Sequence, residues 1–281
     1  MKNKVCLVTG ANSGLGKITA RVLAQLGASV LMVCRNRQKG ELVLNETQAV
    51  NNACDLHLFV ADLSSLAEIR RLAADINSHF PRIDVLINNA GAINPARSLT
   101  VDGLETTFAV NHLAGFLLSN LLLDQLRAST APRIINVSSH AHKVGNMHFD
   151  DLGLEKNFNP MKAYAQSKLA NILFTYELVR RLNGKNSGIN AVHPGTVNTN
   201  FGKNLSGIGG IIFKSFAFLM RSPEHGAETM IWLATAPELT GVSGKYFFDK
   251  KEVRSSRISY DTSIARRLWD ISKQLTGIGR G

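Results

Sequence analysis

Tyr164 and Lys168 stand four residues apart in the stretch Tyr164-Ala165-Gln166-Ser167-Lys168. That spacing puts a phenol and an ammonium on one face of a helix. A free phenol loses its proton only near pH ~10. A fixed positive charge a few ångströms away favours the phenolate, so the pair is expected to titrate closer to neutrality. A phenol tuned in this way exchanges a proton with an alcohol or a carbonyl. Tyr and Lys meet at this spacing in many helices, so the pair gains its meaning from its company.

That company begins at the loop Thr9-Gly10-Ala11-Asn12-Ser13-Gly14-Leu15-Gly16. An apolar run at residues 5–8 precedes it, and Ile18, Ala20, Val22, Leu23 and Leu26 follow with helical spacing. Strand, glycine turn and helix together form the setting in which such a loop holds a pyrophosphate. Small residues let the backbone come close, and the helix start offers N–H groups and a partial positive charge. The spacing is G-x-x-x-G-x-G rather than the commoner G-x-G-x-x-G. Taken in isolation, the loop would be a plain glycine turn.

The elements that must position these residues alternate along the chain. Apolar runs predict strands near residues 5–8, 29–33, 56–60, 85–87, 134–137, 190–193 and 246–248. Helical periodicity predicts helices near 14–26, 39–50, 66–80, 101–126, 160–182, 223–235 and 263–275. The alternation implies an α/β fold, a doubly wound parallel sheet with helices on both faces. Ligands of such sheets bind at the carboxyl ends of the strands, near the switch in strand order. No repeat or linker divides the 281 residues, so the chain is expected to be a single domain over 1–281.

Further motifs occur in order: Asp62-Leu63, Asn88-Asn89-Ala90-Gly91, Asn111, Val137-Ser138-Ser139, and Pro194-Gly195 with Thr199. With the loop and the Tyr–Lys pair, they span nearly the whole chain, which resembles the short-chain dehydrogenase/reductase family. The stretch Tyr164 to Asn171, the segment Ala191-Val192-His193-Pro194-Gly195, and the run from Ser243 to Phe247 are similar to its retinol dehydrogenase-like branch. The resemblance implies a Rossmann-like dinucleotide domain. It also implies a catalytic set of Asn111, Ser139, Tyr164 and Lys168. Tyr164 would be the general acid/base, and Ser139 would hydrogen-bond the reacting oxygen. Lys168 would lower the phenol pKa and hold ribose hydroxyls, and Asn111 would hold a water leading to solvent. Ser138 competes with Ser139 for the serine role, and the family pattern favours Ser139.

On the same ground the cofactor would be held by Gly10, Asn12, Ser13, Gly14, Leu15 and Gly16 of the loop, and by Arg35 and Asn36 after the second strand. Asp62 and Leu63 would flank the adenine. Asn89, Ala90 and Gly91 would pass close beneath the cofactor. Tyr164 and Lys168, then Pro194, Gly195, Val197 and Thr199, would hold the nicotinamide end. Asp62 has a second reading as a turn or helix cap, because Ser64 and Ser65 follow it just before a helix.

The residues after the second strand bear on which dinucleotide binds. An NAD site usually carries a carboxylate there for the ribose 2′-hydroxyl. This chain has Cys34, followed by Arg35, whose planar fork suits a phosphate. Both changes point to NADP, although the loop carries Ser13 where many NADP-binding relatives carry a basic residue. Arg35 could otherwise be a solvated loop charge.

The formal charge of +11 fits an anionic cofactor or lipid surface. The basic residues are scattered, and no nucleic-acid module is visible. Cys6, Cys34 and Cys54 lack metal-ligand spacing and read as buried thiols of a reducing compartment. His140, His142 and His148 fall in an insertion at 140–159 that could form one wall of the substrate pocket. They read as polar loop residues, with no metal. No signal peptide is evident and no apolar run is long enough for a span, so a cytoplasmic chain, able to lie against a membrane, is expected. The apolar stretch 208–220 belongs to a candidate substrate lid at 198–222, with a packed helix as the plainer reading. A flexible end is expected at 277–281. The expected activity is NADP(H)-dependent interconversion of a lipophilic carbonyl and its alcohol, with retinal-like, steroid-like or long-chain aldehyde substrates. The alternative is a catalytically silent dinucleotide-sensing or partner-binding module. Monomer and oligomer both remain open.

Overall fold

The computed structural model describes residues 1–182, 187–195 and 222–279. Its centre is an eight-stranded sheet in the order β3-β2-β1-β4-β5-β6-β7-β8. The strands are β1 (Val5–Thr9), β2 (Ser29–Cys34), β3 (Asp55–Val60), β4 (Val85–Asn88), β5 (Arg133–Val137), β6 (Gly188–His193), β7 (Tyr246–Phe248) and β8 (Lys251–Glu252). All neighbours run parallel except β7 and β8. The order turns back between β1 and β4, so the switch point lies where the glycine loop leaves β1.

Alternation along the strands divides the core in two. Cys6, Val8, Val30, Met32, Ile135 and Val137 face one side, with Leu23 of α1 (Gly14–Gln25) and Met230 and Leu233 of α8 (Pro223–Thr235). Leu7, Leu31, Val33, Leu86, Ile134 and Ile189 face the other. There they meet Ile69 and Leu72 of α3 (Leu66–His79), Phe116 of α5 (Ala114–Leu121) and Trp269 of α9 (Thr262–Thr276). Burying such an aliphatic side chain is worth about 1.5–3 kcal/mol, and a one-residue slip in register would exchange the two faces. The doubly wound α/β architecture therefore stands as expected.

The long helix α7 (Pro160–Arg181) carries Tyr164 and Lys168. Asn159 caps its start by accepting from the Met161 and Lys162 N–H groups, and Pro160 occupies the first helical position, where its fixed φ fits. Ser138 at the end of β5 donates to the Lys168 carbonyl at 2.7 Å, pinning the helix to the strand. The faces of α5 and α7 near their middles are covered by α9. Trp269 lies 4.9 Å from Phe116 and 6.0 Å from Phe174, centroid to centroid.

Three local expectations need correction. The helix predicted over 101–126 starts at α4 (Thr106–Phe108), because Gly103 adopts φ +74° in a turn and Leu99 bridges to Glu105. It then widens into a π turn, Ala109–Leu113, before α5 and the short α6 (Leu123–Arg127). The helix after Cys34, α2 (Arg37–Val50), starts two residues early, because Asn36 caps it through the Lys39 N–H at 2.9 Å. The short antiparallel β8 had no signal of its own. At the C-terminus Gly277 closes α9 in the left-handed region, and Ile278 packs on the core. Residues 280–281 lie outside the described residues.

Candidate active site

A cleft of about 670 Å³ opens along the carboxyl ends of the strands. One end is formed by the loop between β1 and α1. Gly10 turns the chain at φ +67°, and a Cβ on Gly16 would overlap the Gly10 carbonyl oxygen. Only glycine allows that approach. Ser13 precedes α1 in extended conformation, and its side chain does not cap the helix. No acidic residue sits in the first turn. The helix start thus faces the cleft with its positive end uncompensated, as an anion requires. Thr9 ties this loop to the one after β4. Its Oγ1 accepts from the Asn89 and Ala90 N–H groups, both at 3.0 Å, while Asn89 Nδ2 donates to the Thr9 carbonyl at 2.7 Å.

Beyond β2, Cys34, Arg35, Asn36 and Lys39 line the cleft. Arg35 is 78% exposed, with its guanidinium 3.9 Å from the Asp62 carboxylate. Asp62 accepts from the Ser64 N–H and hydroxyl at 2.9 and 2.8 Å. It makes the turn, while Ser65 caps α3, so only the turn half of its structural reading holds. The cleft presents no carboxylate at the Cys34 position, and burial raises that thiol's pKa. A glycine cradle, an uncompensated helix start and two basic side chains fit the phosphates of a dinucleotide.

At the other end, Ser139, Tyr164 and Lys168 converge on the cleft. The Ser139 hydroxyl pulls the Tyr164 pKa down, whereas Ser138 is turned away toward the helix backbone. Lys168 Nζ lies 5.6 Å from the Tyr164 ring centre and donates to the Val137 carbonyl at 3.0 Å. Burial lowers the Lys168 pKa to about 8. Burial also pushes Tyr164 up to about 12, against the pull of the Ser139 hydroxyl. This reverses the expected lowering of the phenol. Desolvation, which disfavours the charged phenolate, is the larger cause of the Tyr164 shift.

Asn111 lies in the π turn beneath the cleft. It accepts from the Ala92 N–H at 2.7 Å, and donates to the Ala92 carbonyl and the Ser167 hydroxyl, both at 2.9 Å. Its side chain clamps the loop after β4 to α7. Gly91 fits between, since a Cβ there would stand 3.2 Å from Asn111 Oδ1 and 3.4 Å from Lys168 Nζ.

Gly10, Asn12, Ser13, Gly14 and Leu15 line the cleft as expected, with Asp62 and Leu63. Asn89, Ala90, Gly91, Pro194 and Gly195 line it too. Gly16 and Asn111 support it from below. Val197, Thr199 and all of the predicted lid except Ser222 lie outside the described residues. Sequence reasoning missed Lys39, whose place in the first turn behind the Asn36 cap was a usable signal. It also missed Ile93, Asn94, Thr106 and Val110 at the substrate end, which no motif marks. His193 reaches the cleft as well, stacked on Phe248 at 4.9 Å and accepting from the Gly195 N–H at 3.2 Å.

Of the insertion histidines, His142 is no polar loop residue. It is fully buried, bonded to the Ser139 carbonyl at 2.6 Å and the Ser256 N–H at 3.1 Å, and burial lowers its pKa. Among the described residues no His, Cys, Asp or Glu group could hold a metal. The three cysteines are free and buried. No described helix is long and apolar enough to cross a membrane.

Residues 4–207 match the family model described as short chain dehydrogenase. Retinol dehydrogenase 14 of Homo sapiens is 43% identical over 99% of this chain and 88% of its own length. Retinol dehydrogenase 13 of Homo sapiens is 44% identical over 98% of this chain and 85% of its own. Among solved structures, an uncharacterized protein from Mycobacterium paratuberculosis superposes with a TM-score of 0.78 at 35% identity, covering 98% of this chain and 94% of that one. An NADP active-site complex of RhlG from Pseudomonas aeruginosa gives 0.70 at 26% identity, covering 88% and 94%. The chain belongs to the short-chain dehydrogenase/reductase family of oxidoreductases, in its retinol dehydrogenase-like branch.

Proposed function

We propose that this protein is an NADP(H)-dependent oxidoreductase that interconverts a lipophilic carbonyl and its alcohol. The observation that carries the reading is the layout of the cleft. Ser139 and Tyr164 line the cleft beside buried Lys168 at one end, and Arg35 and Lys39 flank a thiol at the other. The dinucleotide supplies or accepts the hydride. Tyr164 gives its proton to the carbonyl oxygen during reduction and recovers it from the alcohol in reverse. A phenol held near 12 is a donor that stays protonated at neutral pH, which suits the reductive direction. Ser139 steadies the same oxygen as charge develops on it. Lys168 stabilises the phenolate left behind, and its own value near 8 leaves it charged at neutral pH. Asn111 acts through the Ala92 loop, holding the floor on which the ring would lie.

The relatives' name, retinol dehydrogenase, supports a retinal-like substrate, with steroid-like and long-chain aldehydes as neighbours in chemistry. Ile93 and Val110 give the open end apolar surface for it. Reduced-nicotinamide absorbance, followed with a panel of lipophilic aldehydes and ketones, tests the reading. Tyr164→Phe should lower turnover about a thousandfold while NADPH still binds. Turnover near the parent level in that variant would remove Tyr164 as the proton donor. NADPH binding with no oxidation across the panel would favour the silent sensor.

A further inference from the structure

Lys168 does not hold the Val137 carbonyl alone. Asn171 Nδ2, one turn further along α7, donates to the same oxygen, also at 3.0 Å. The Asn171 side chain is buried, so its amide orientation is fixed by these neighbours. With Nδ2 on the carbonyl, Oδ1 faces His112 Nδ1 at 3.4 Å. His112 follows Asn111 directly in the π turn, and its Nε2 lies 3.0 Å from the Ser272 hydroxyl on α9. The donors and acceptors are consistent from end to end. Ser272 donates to Nε2, Nδ1–H donates to Asn171, and Asn171 donates to Val137. The chain requires a neutral imidazole with its proton on Nδ1. Complete burial supplies the neutrality by holding the His112 pKa near 4, and the acceptor Asn171 Oδ1 selects the Nδ1 proton.

We infer that Asn171 and His112 are positioning residues that fix the Val137 carbonyl under the Lys168 ammonium and tie both to the C-terminal helix. This rests on the proposed role of Lys168. The physical reason is directional. A carbonyl at a strand end can tilt, and the ammonium it holds would move with it. A second donor on the same oxygen sets the tilt, and a polar chain ending on another helix keeps that donor in place. The C-terminal helix is then a working part of the catalytic floor as well as a cover for the core. Small displacements at such a floor are costly in rate.

The test uses the full chain with NADPH and an active carbonyl from the panel. Asn171→Leu fills the same space without a donor. It should lower kcat about tenfold or more, while the carbonyl KM moves far less. His112→Phe should lower kcat in the same way by a smaller factor. The double variant should be no worse than Asn171→Leu alone, because both break one chain. Ser272→Ala, a minimal change on α9, should give the same kcat-specific loss at its weakest, and decides the matter if the larger substitutions fail to fold. Parent-level kcat in folded Asn171→Leu, or in Ser272→Ala where that variant must decide, would overturn the link. Additive losses in the double variant would overturn it too. Lys168→Met separates the two ideas. Retained turnover there defeats the proposed chemistry, whereas lost turnover with a silent Asn171 defeats only this link.

Discussion

Arg35 and Lys168 are both cations lining the same cleft, and their surroundings are opposite. Arg35 is 78% exposed at the rim, with a carboxylate 3.9 Å away. Lys168 is buried at the floor, with its ammonium on a carbonyl at 3.0 Å. On the proposed function the rim would recognise charge in high dielectric, where each contact is modest and tolerant of small shifts. The floor would handle protons where burial governs the titration of Lys168 and Tyr164. On that function the cleft would separate recognition from reaction by burial. Mutations at the two ends should differ in size and in what they change.

The largest effect outside turnover itself should appear at the floor, in stability. The folded-state value of Lys168, about 8, lies below its ordinary 10.5, so the unfolded chain holds that proton more tightly. Below pH 8 the burial penalty is fully present. It is relieved as pH rises from 8 toward 10.5, so stability should climb across that window. Tyr164 acts in the other direction. The folded chain holds its proton more tightly between 10 and 12, so stability should fall across that range. Lys168→Met removes the buried ammonium. It should raise stability at neutral pH by up to about 3 kcal/mol while abolishing activity. Urea unfolding at pH 7 and pH 9.5, parent against variant, measures both. A variant less stable than the parent at pH 7, or with an unchanged pH slope, would show that the floor is wetter than the comparison holds.

Thr9 stands between the two ends and gives a smaller effect. Thr9→Val keeps the shape and leaves the Asn89 and Ala90 N–H groups without their shared acceptor. The expected cost is about 1–3 kcal/mol in unfolding free energy. Weaker NADPH binding should accompany it, since the two loops that Thr9 joins both line the cleft. Unchanged affinity alongside lost stability would show that the rim does not depend on this clip.

What could be read in advance follows the same division. The strands were legible because both faces of the sheet are buried, which makes their residues almost continuously apolar. Tyr164, Lys168 and the glycine loop were legible because each lies within one local element, where spacing fixes geometry. The helix start was misread because Val101 and Leu104 mimic an apolar turn of helix, while Gly103 and the Leu99–Glu105 bridge bend the chain. The π turn left no trace, as apolar residues continue through Ala109–Leu113. The direction of the Tyr164 shift was missed for a different reason. Charge spacing is written in sequence, whereas desolvation depends on everything that closes over the ring. Asn94 and Thr106 share the cleft with Tyr164 only through tertiary packing.

The weakest predicted effects are at the rim, and they sharpen the comparison most directly. Arg35→Ala should weaken NADPH about tenfold and leave NADH nearly unchanged, a size set by one exposed guanidinium on a phosphate. Lys39→Ala should give the same selectivity at a few-fold, because an ammonium offers a point charge where arginine offers a fork. Both losses should shrink as ionic strength rises past about 0.15 M, where exposed charges are screened within about 8 Å. Binding isotherms for the two dinucleotides at low and high salt measure all of this. Equal losses for both cofactors would remove Arg35 from the 2′-phosphate, and the NADP preference would then lose its main support. A salt-independent loss would mean that Arg35 becomes buried on binding, which would place the rim under the same rules as the floor.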